Sequence, residues 1–395
     1  MLAFGFMKAS PRSSVIIDLS AIRHNVAYLK SLLRPHTQLL VPVKADAYGH
    51  GMLAASQAAV VAGACGVAVA TAEEAVGLRD AGFDKMILVM GPLYSADQCR
   101  EMARLGVEFA VVTPEMLSML RELDNAEGPA RVHLKVDTGM NRQGLYPSQV
   151  KEFLETLRTL PHVHLVGIMT HFACAAEDLG SVDFQLSRFI PVVKQVRKEW
   201  PRAVVHAANS AATMSAPHTH FDMVRCGCAV YGLSPWQRDP LAEGLRPALT
   251  WRSQVVLLKK VPAGEGVGYG HTFRPQRPTT IALVPIGYGD GVFRALGDRG
   301  EVLIGGRRYP MVGRVSMDSF AVDVGENPVV KVGDTVTLIG ADGRERITVE
   351  EIAQRVGTIN YEITCVIALD RSERLFVDET TPIEASGGDS TQLTS

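Results

Sequence analysis

Residues 41–51 read Val-Pro-Val-Lys-Ala-Asp-Ala-Tyr-Gly-His-Gly, so Lys44 stands where an apolar run stops and a turn of small residues begins. A lysine amine at such a position can form an imine with an aldehyde, and small residues let the backbone approach a bulky ligand closely. Taken alone, Lys44 is more simply interpreted as a solvated lysine at a strand end, as most lysines are. The surrounding sequence therefore decides whether Lys44 has a chemical role.

The apolar run that ends at Lys44 is the first of eight runs that alternate with amphipathic segments, a rhythm typical of parallel strands joined by helices. Helices are expected at 72–81 and 114–123, with Thr71 and Thr113 as N-caps. Eight such units favour a (β/α)8 TIM-type barrel over an open doubly wound sheet, which more naturally has five or six strands. The expected barrel strands are 39–44, 66–70, 85–90, 108–112, 131–136, 164–170, 203–208 and 223–227.

The pattern changes after about residue 245, where β-type runs are separated by glycine and proline turns and helix signals nearly vanish except at 349–356. These short strands predict a second, mainly β domain built as a compact barrel or sandwich. The expected strands of this domain are 251–261, 279–286, 307–312, 319–324 and 334–339.

The chain of 395 residues exceeds what one hydrophobic core usually supports, so two domains are expected. We place the barrel at 15–244 and the β domain at 245–380, with 1–14 and 381–395 as termini. The last stretch is polar and rich in Gly, Ser and Thr, which predicts disorder. Residues 15–19 are typical of a strand that could join either domain.

Composition narrows the class of partner. A hydrophobic content of 47% and a formal charge of −2 are those of an ordinary globular protein, and they argue against a nucleic-acid or polyanion-binding role. No apolar run reaches a membrane-spanning length, and no secretory signal is recognisable, so a cytoplasmic location is expected. The six cysteines show no disulfide framework, and Cys226 with Cys228 lacks the second pair that a closed zinc site needs, so no metal is expected. A small-molecule partner is favoured.

Reactive side chains concentrate at the ends of the expected barrel strands, and in barrels this face carries the active site. Any one of them could instead belong to a structural ion pair, but that explanation is far weaker for the whole set. A phosphate site is expected after the last two strands, where a hydroxyl and backbone N–H groups beside a glycine are available. The set is Lys44, Tyr48, Lys135, Asp137, Arg142, His171, Asn209, Ser210, Arg225, Gly227 and Cys228.

Nine stretches in order along both predicted domains resemble the alanine racemase family, over residues 15–375. They include Lys-Val-Asp-Thr-Gly-Met-Asn-Arg-Gln-Gly at 135–144 and Gly-Tyr-Gly-His-Thr-Phe at 268–273. The resemblance implies a pyridoxal 5'-phosphate barrel with a β domain, active as a head-to-tail homodimer whose sites combine residues of both chains. The other stretches are 43–51, 170–173, 206–211, 225–232, 287–291, 313–318 and 360–362.

The resemblance also implies a role for individual residues. Lys44 would bind the cofactor covalently and act as one of two catalytic bases, and Tyr269 of the partner subunit would be the other. Arg142 would contact the substrate carboxylate, Met317 would offer a backbone contact to the substrate, and Lys135 matches a lysine that many members carry as a carbamate. The cofactor-binding residues implied in this way are Tyr48, His171, Ser210, Arg225, Gly227, Cys228 and Tyr361, with Arg225 facing the pyridine nitrogen and His171 between Arg225 and Tyr269.

These assignments agree with elementary chemistry, because inverting an α-carbon requires removal of a proton from one face and its return to the other. An arginine at the ring nitrogen keeps its own proton, which makes the cofactor a weaker electron sink and disfavours side reactions. The expected reaction is therefore the interconversion of L-alanine and D-alanine, which the resemblance places in the supply of D-alanine for peptidoglycan. Asp46 stands where asparagine is common in the family, and this difference removes no reactive group.

Two other interpretations remain open. A decarboxylase of basic amino acids would share Lys44 and the phosphate site, but the Tyr269 segment and Arg225 argue against it. A non-enzymatic pyridoxal phosphate carrier would explain the barrel but would leave the β domain without a purpose. Fold alone does not separate these functions.

Overall fold

The central feature of the fold is a closed barrel of eight parallel strands, β2 to β9. The computed structural model describes residues 12–123, 128–368 and 370–378. The barrel closes at β2, where Leu40 lies opposite Gly66 of β3 on one side and Arg225 of β9 on the other. The strands are β2 (Gln38–Pro42), β3 (Gly66–Val69), β4 (Met86–Val89), β5 (Glu108–Val111), β6 (Ala130–Lys135), β7 (Val163–Met169), β8 (Val204–His206) and β9 (Met223–Arg225).

All eight expected barrel strands are present, and the TIM-type barrel with a mainly β second domain is confirmed. Most strand residues are buried, as parallel strands covered by helices require. The helices between the strands are α1 (Leu19–Ser31), α2 (Met52–Val61), α3 (Ala72–Asp80), α4 (Ala96–Arg104), α5 (Met116–Arg121), α6 (Val150–Leu157), α7 (Leu179–Glu199) and α8 (Ser210–Ser215).

The two expected helix N-caps have different outcomes. Thr71 caps α3 with a capping box, in which its hydroxyl accepts the Glu74 N–H and the Glu74 carboxylate accepts the Thr71 N–H. Thr113 caps no helix, because the N-cap of α5 is Glu115. The expected cap at Thr113 was wrong because Pro114 and Glu115 form a tighter turn, with carbonyls that accept N–H groups three residues ahead.

We expect Thr71→Ala to lower the free energy of unfolding by about 1 kcal/mol, the usual effect of removing a threonine cap. The change leaves the Glu74 N–H, in the first turn of α3, without its partner. Urea unfolding followed by circular dichroism measures the loss. Thr113→Ala is the matched control, with an expected change within about 0.5 kcal/mol. Equal losses in the two variants would show that the capping box contributes nothing.

The second part of the chain forms a ten-stranded sheet in the order β11-β12-β15-β14-β13-β16-β10-β1-β18, with β17 paired to β16. Its strands are β1 (Ser13–Asp18), β10 (Leu249–Gln254), β11 (Leu257–Val261), β12 (Thr279–Val284), β13 (Glu301–Ile304), β14 (Arg307–Val312), β15 (Phe320–Gly325), β16 (Thr335–Asp342), β17 (Glu345–Ile347) and β18 (Glu373–Val377). Two helices accompany it, the expected α9 (Val349–Val356) and the unexpected α10 (Asn360–Cys365).

The run expected as one strand at 251–261 is two strands. The chain changes partner between them, since the Val255 N–H donates to Asp334 beside β16 while the Val256 N–H donates to Leu283 of β12. Three further strands, β13, β17 and β18, were not expected. All three are short: β17 and β18 have one buried residue between them, so their apolar pattern is weak, and β13 has only four residues, of which three are apolar and buried.

The first strand joins the sheet and not the barrel. β1 pairs antiparallel with β10 and parallel with β18. Residues 13–18 therefore lie with the second part of the chain, although our first domain begins at residue 15. The expected disordered tail at 381–395 lies outside the described residues.

The six cysteines are free thiols, and the apolar core extends from the barrel into the sheet. Burial raises the pKa of Cys226 to about 12 and that of Cys228 to about 11, so both remain protonated. Among the helices of the described residues, none combines the length and the apolar character needed to cross a bilayer.

Candidate active site

The carboxyl ends of the barrel strands surround a cavity of about 250 Å³. Strands β2, β7, β8 and β9 each deliver a residue at or just after their last position, while α10 of the second part of the chain closes one side. Nine of the residues predicted from the sequence line this cavity together: Lys44, Tyr48, His171, Asn209, Ser210, Arg225, Gly227, Cys228 and Tyr361.

Lys44 opens a left-handed turn, Lys44–Tyr48, in which four consecutive non-glycine residues have φ between 50° and 56°. An L-residue in this conformation costs roughly 1–2 kcal/mol, and the turn ends at Gly49 and Gly51, which adopt positive φ without that cost. Nothing in the sequence of this turn indicates that its backbone is left-handed. A strained backbone next to a reactive lysine needs support from its surroundings.

That support comes from three directions. The Glu74 carboxylate of α3 accepts the Ala45 N–H at 2.7 Å, and the buried His50 ring bonds to the Ala47 and Tyr48 carbonyls at 3.0 Å each. Asp46 accepts the Met52 N–H at 2.7 Å and pairs with Arg374 of β18. The turn that presents Lys44 is thus braced by the barrel helix α3 and by the last strand of the sheet.

The Lys44 amine lies in a setting that favours its neutral form. Burial lowers its pKa below the ordinary value, and the positive charge of Arg142 lowers it further. Glu74 and Cys365 act in the opposite direction but do not cancel these effects. A lysine with a lowered pKa is more readily a nucleophile or a base near neutral pH.

A second group in the cavity consists of hydroxyl donors around a glycine. Burial raises the pKa of Tyr48 and of Tyr361, so both phenols remain protonated and able to donate. Ser210 is almost fully buried and lies at the first residue of α8. Gly227 is required here, because a Cβ at this position would lie 2.7 Å from the Tyr48 hydroxyl. These groups can bind an anion without a cationic side chain.

Arg225 ends β9 with a guanidinium that is only 3% exposed. It donates to Thr170 O at 2.6 Å and to Ala207 O at 3.1 Å. It also lies 3.1 Å from His171 Nδ1 and 3.0 Å from His206 Nδ1. Burial and the charge of Arg225 hold the pKa of both histidines well below the ordinary value, so both rings are neutral. A fixed positive charge therefore faces the cavity.

Lys135 ends β6 and Arg142 lies in the turn that follows, and neither lines the cavity. Asp137 organises this turn by accepting the N–H groups of Gly139, Asn141 and Arg142 at 2.9 to 3.1 Å. Lys135 is 5% exposed and donates to Gln143 Oε1 at 2.9 Å. Burial, Arg142 and Arg225 lower the pKa of Lys135 to about 8.

Tyr269 and Met317 also lie outside the cavity of their own chain. Both belong to the second part of the chain, and their exposed fractions are 71% for Tyr269 and 54% for Met317. A side chain this exposed is not held by its own fold. The expected contact of His171 is with Tyr269 of the partner subunit, and it stays a prediction.

Two polar residues of the cavity were not expected from the sequence, Glu177 and Gln237. Gln237 exchanges hydrogen bonds of 2.9 and 2.8 Å with Asn360, which directly precedes Tyr361. It lies in an irregular loop at φ 57°, where no periodic pattern marks it. No role was predicted for His206, although a histidine at the end of an apolar strand indicates a residue at the site.

Comparison with known proteins agrees with this arrangement. The family model "Alanine racemase, N-terminal domain" matches residues 17–235, and "Alanine racemase, C-terminal domain" matches 248–376. The chain is 43% identical to an alanine racemase of Mycobacterium tuberculosis over 366 residues, covering 89% of this chain and 92% of the relative. It is 42% identical to an alanine racemase of Syntrophobacter fumaroxidans over 363 residues, covering 91% and 96%.

Solved structures show the same likeness. The crystal structure of the alanine racemase from D-cycloserine-producing Streptomyces lavendulae matches with a TM-score of 0.87 and 38% identity, covering 94% of this chain and 98% of that one. The Bacillus anthracis alanine racemase with bound L-Ala-P matches with a TM-score of 0.87 and 36% identity, covering 96% and 98%. With both family models matched in order around this site, the chain belongs to the alanine racemase family.

Proposed function

We propose that this protein interconverts L-alanine and D-alanine with pyridoxal 5'-phosphate bound in the barrel cavity. The observation that carries the proposal is the grouping in one cavity of an amine with a lowered pKa, a buried guanidinium and a set of hydroxyl donors. The names of the relatives support alanine as the substrate. We infer from the same family that the product D-alanine supplies peptidoglycan synthesis.

The residues present fit this cofactor. Tyr48, Ser210 and Tyr361, with the backbone at Gly227 and Cys228, would hold its phosphate, and the absence of a side chain at Gly227 leaves room for the Tyr48 hydroxyl. Lys44 would hold the aldehyde end. Arg225, with His171 beside it, would face the ring nitrogen as a donor that does not give up its proton. When bound, the cofactor supplies an electron sink that makes the α-proton of an amino acid removable.

The protein's own groups then move the proton. Lys44 Nζ would take the proton from one face of the α-carbon or return it there, which its lowered pKa favours. The partner's Tyr269 would serve the opposite face. Arg142 would orient the substrate carboxylate and the Met317 backbone would contact the substrate. Two bases on opposite sides allow inversion in both directions.

We propose a homodimer, because the catalytic set is incomplete within one chain. Tyr269 and Met317 are exposed on the second part of the chain, whereas Lys44 lies in the barrel cavity. Head-to-tail association would bring the exposed side chains of each subunit to the cavity of the other. A domain boundary near residue 244, with β1 assigned to the sheet, and a cytoplasmic location are part of this proposal, and six free thiols are consistent with a reducing compartment.

The proposal is tested by incubating purified protein with pyridoxal phosphate and either L- or D-alanine in deuterated water. Both enantiomers are expected to reach the same mixture while the α-proton is replaced by deuterium, as followed by proton NMR and chiral chromatography. Release of carbon dioxide from lysine, ornithine or diaminopimelate would favour a decarboxylase instead. A visible chromophore without exchange would favour a carrier.

Gly227→Ala is expected to weaken cofactor binding. The new Cβ would lie 2.7 Å from the Tyr48 hydroxyl, so the phenol must shift away from the anion site. Overpacking of this kind costs about 1–3 kcal/mol, which corresponds to roughly a 5- to 150-fold rise in Kd. Absorbance titration of the cofactor-free protein measures Kd. Gly77→Ala is the matched control, because a Cβ at this position of α3 would meet no atom closer than 4.0 Å. An unchanged Kd for Gly227→Ala would contradict the role of Gly227 in the anion site.

We propose that Lys135 carries a carbamate. Carbon dioxide reacts with the neutral amine, and since the pKa of Lys135 is lowered to about 8, the neutral fraction grows as the pH rises through that value. In 13C-labelled bicarbonate, the 13C NMR signal of a carbamate is expected to grow from about one pH unit below this value to one above it. The signal should vanish in Lys135→Ala. A signal of equal intensity in that variant would exclude Lys135.

A further inference from the structure

A continuous chain of hydrogen-bonded side chains crosses the interior of the barrel from its far end to the cavity. We call Glu108, His133, His206, Arg225 and His171 the barrel relay. Glu108 Oε2 lies 2.7 Å from His133 Nε2, and His133 Nδ1 lies 2.8 Å from His206 Nε2. His206 Nδ1 lies 3.0 Å from Arg225 Nη1, and Arg225 Nη2 lies 3.1 Å from His171 Nδ1. The relay thereby links strands β5, β6, β8 and β9 with His171, which lies two residues after the end of β7.

The relay runs between two ends of different character. Glu108 is the first residue of β5, and its other oxygen accepts two hydrogen bonds from Arg131, at 2.8 and 2.6 Å. Arg225 is the last residue of β9 and borders the cavity. His133 and His206 between them are at most 1% exposed. Water therefore does not reach the middle of the relay.

Only one arrangement of protons satisfies every contact in the relay. Arg225 has donors and no acceptor, so His206 Nδ1 must accept from it. His206 then carries its proton on Nε2 and donates to His133 Nδ1. His133 in turn carries its proton on Nε2 and donates to Glu108. At the cavity end, His171 Nδ1 also accepts from Arg225, which leaves the His171 Nε2–H as a donor.

The carboxylate at the far end is consistent with this direction. Burial alone would raise the pKa of Glu108, but hydrogen bonds from His133 and Arg131 and the charge of Arg131 outweigh it and hold that pKa below its ordinary value. The side-chain partners of Arg225 are imidazoles and carbonyls. The buried Arg225 guanidinium is therefore linked to the Glu108 carboxylate through the two neutral rings of His206 and His133.

The backbone of the barrel makes room for the relay. A Cβ at residue 167 of β7 would lie 2.1 Å from His133 Nδ1, so that only a glycine fits beside the ring. The pairing of β6 with β7 shifts register at the same place, between Val132 and His133. A fully buried imidazole that requires a glycine and an irregularity in the neighbouring strand is a costly element of a barrel core. An apolar side chain would fill the space without a need for partners.

We propose that Glu108 is a positioning residue for racemization: through His133 and His206 it sets the orientation of the Arg225 guanidinium beside His171. Its carboxylate can only accept, so it suits the tautomers that Arg225 imposes from the other end and holds both rings in place. The influence on turnover rests on the proposed function, since it requires the cofactor beside Arg225. The tautomers themselves are a property of the protein alone.

Glu108→Gln tests the proposal. The amide keeps the size of the carboxylate and can still accept from His133, but it has no negative charge and so accepts a weaker hydrogen bond. In cofactor-free protein labelled with 15N-histidine, wild-type His133 and His206 are expected to be neutral with the proton on Nε2, assigned through His133→Phe and His206→Phe. In Glu108→Gln, both tautomers are expected to persist because Arg225 still fixes them, while the 15N signal of His133 Nε2 should shift as its hydrogen bond weakens.

The same variant is examined as holoenzyme. We expect kcat/KM to fall about 10- to 100-fold, the usual effect of removing a group that orients an active-site ligand, with most of the loss in kcat. The absorption band of the bound cofactor should shift, because the donor beside the ring nitrogen changes. Glu199→Gln is the matched control, since Glu199 also accepts two hydrogen bonds from one arginine, Arg158, at 2.7 and 2.6 Å, but has no histidine beside it.

Three outcomes would overturn the proposal. The first is a wild-type His206 that is protonated on Nδ1 or carries both protons, which needs no variant to fold. The second is a folded Glu108→Gln protein with an unchanged His133 15N signal, spectrum and turnover. The third is an equal loss of turnover in Glu199→Gln, which would indicate a general effect on stability. If the wild-type protein does not racemize alanine, the proposed function is wrong. The tautomers of His133 and His206 still test the relay in that case.

Discussion

Lys44→Ala is expected to abolish racemization of both enantiomers. The variant loses the amine that would hold the cofactor and, with it, the base on one face of the substrate. Removal of a positioned base alone costs about 10²–10⁴-fold, so the loss should reach or exceed the upper end of that range. Turnover from L- and D-alanine measures it, and the absorption spectrum should show cofactor that is no longer bound covalently. Added methylamine is expected to restore part of the activity.

The matched control for this change is Lys151→Ala. Lys151 has an 80% exposed side chain whose ion pair with Glu155 is at 4.0 Å, so turnover should be unchanged. A Lys44→Ala protein that keeps more than about a tenth of wild-type turnover would contradict the role of Lys44, because one order of magnitude is below the range for a general base.

Tyr269→Phe is expected to act on one direction of proton transfer. The variant keeps the aromatic ring and removes the hydroxyl that would serve the L face, so exchange of the α-proton of L-alanine should fall about 10²–10⁴-fold. Exchange of the α-proton of D-alanine, which Lys44 would catalyse, should be largely retained. Proton NMR in deuterated water follows each enantiomer separately, in samples where the other is removed enzymatically.

Tyr309→Phe makes the same chemical change in the same part of the chain. Tyr309 lies on β14 and packs against the core, so neither exchange rate should change. Normal turnover from L to D in Tyr269→Phe would remove Tyr269 from the mechanism. Because Tyr269 is 71% exposed in a single chain, its loss should leave the free energy of unfolding almost unchanged, which separates catalysis from stability.

The barrel could be predicted because its strands are short apolar runs separated by amphipathic helices. The predicted and observed strand boundaries differ where a reactive residue directly follows the strand. The first run was expected to continue to Lys44, but β2 ends at Pro42 and Lys44 already belongs to the left-handed turn. The strand β18 was missed because its partner, β1, lies about 360 residues away, and such a pairing leaves no local pattern.

The left-handed turn could not be read from the residues that form it. Ala45, Asp46 and Ala47 have no local preference for positive φ that would offset the cost of that conformation. The conformation is retained because Glu74, His50 and Arg374 hold it from outside the turn. Gly49 is required for a tertiary reason as well, since a Cβ there would lie 2.3 Å from Thr364 O of α10.

The barrel, the mainly β second domain, the reactive groups at the strand ends and the family could all be predicted from the residues, because strand periodicity and motif order are local properties of the chain. The folded chain was needed to show which of those groups meet in one cavity, that Tyr269 lies outside it, and that a buried relay reaches Arg225 from Glu108. His133 and His206 are 73 residues apart, and Glu108 and His133 are 25 apart. Hydrogen bonds between side chains of different strands depend on barrel closure and register, which no single stretch of sequence specifies.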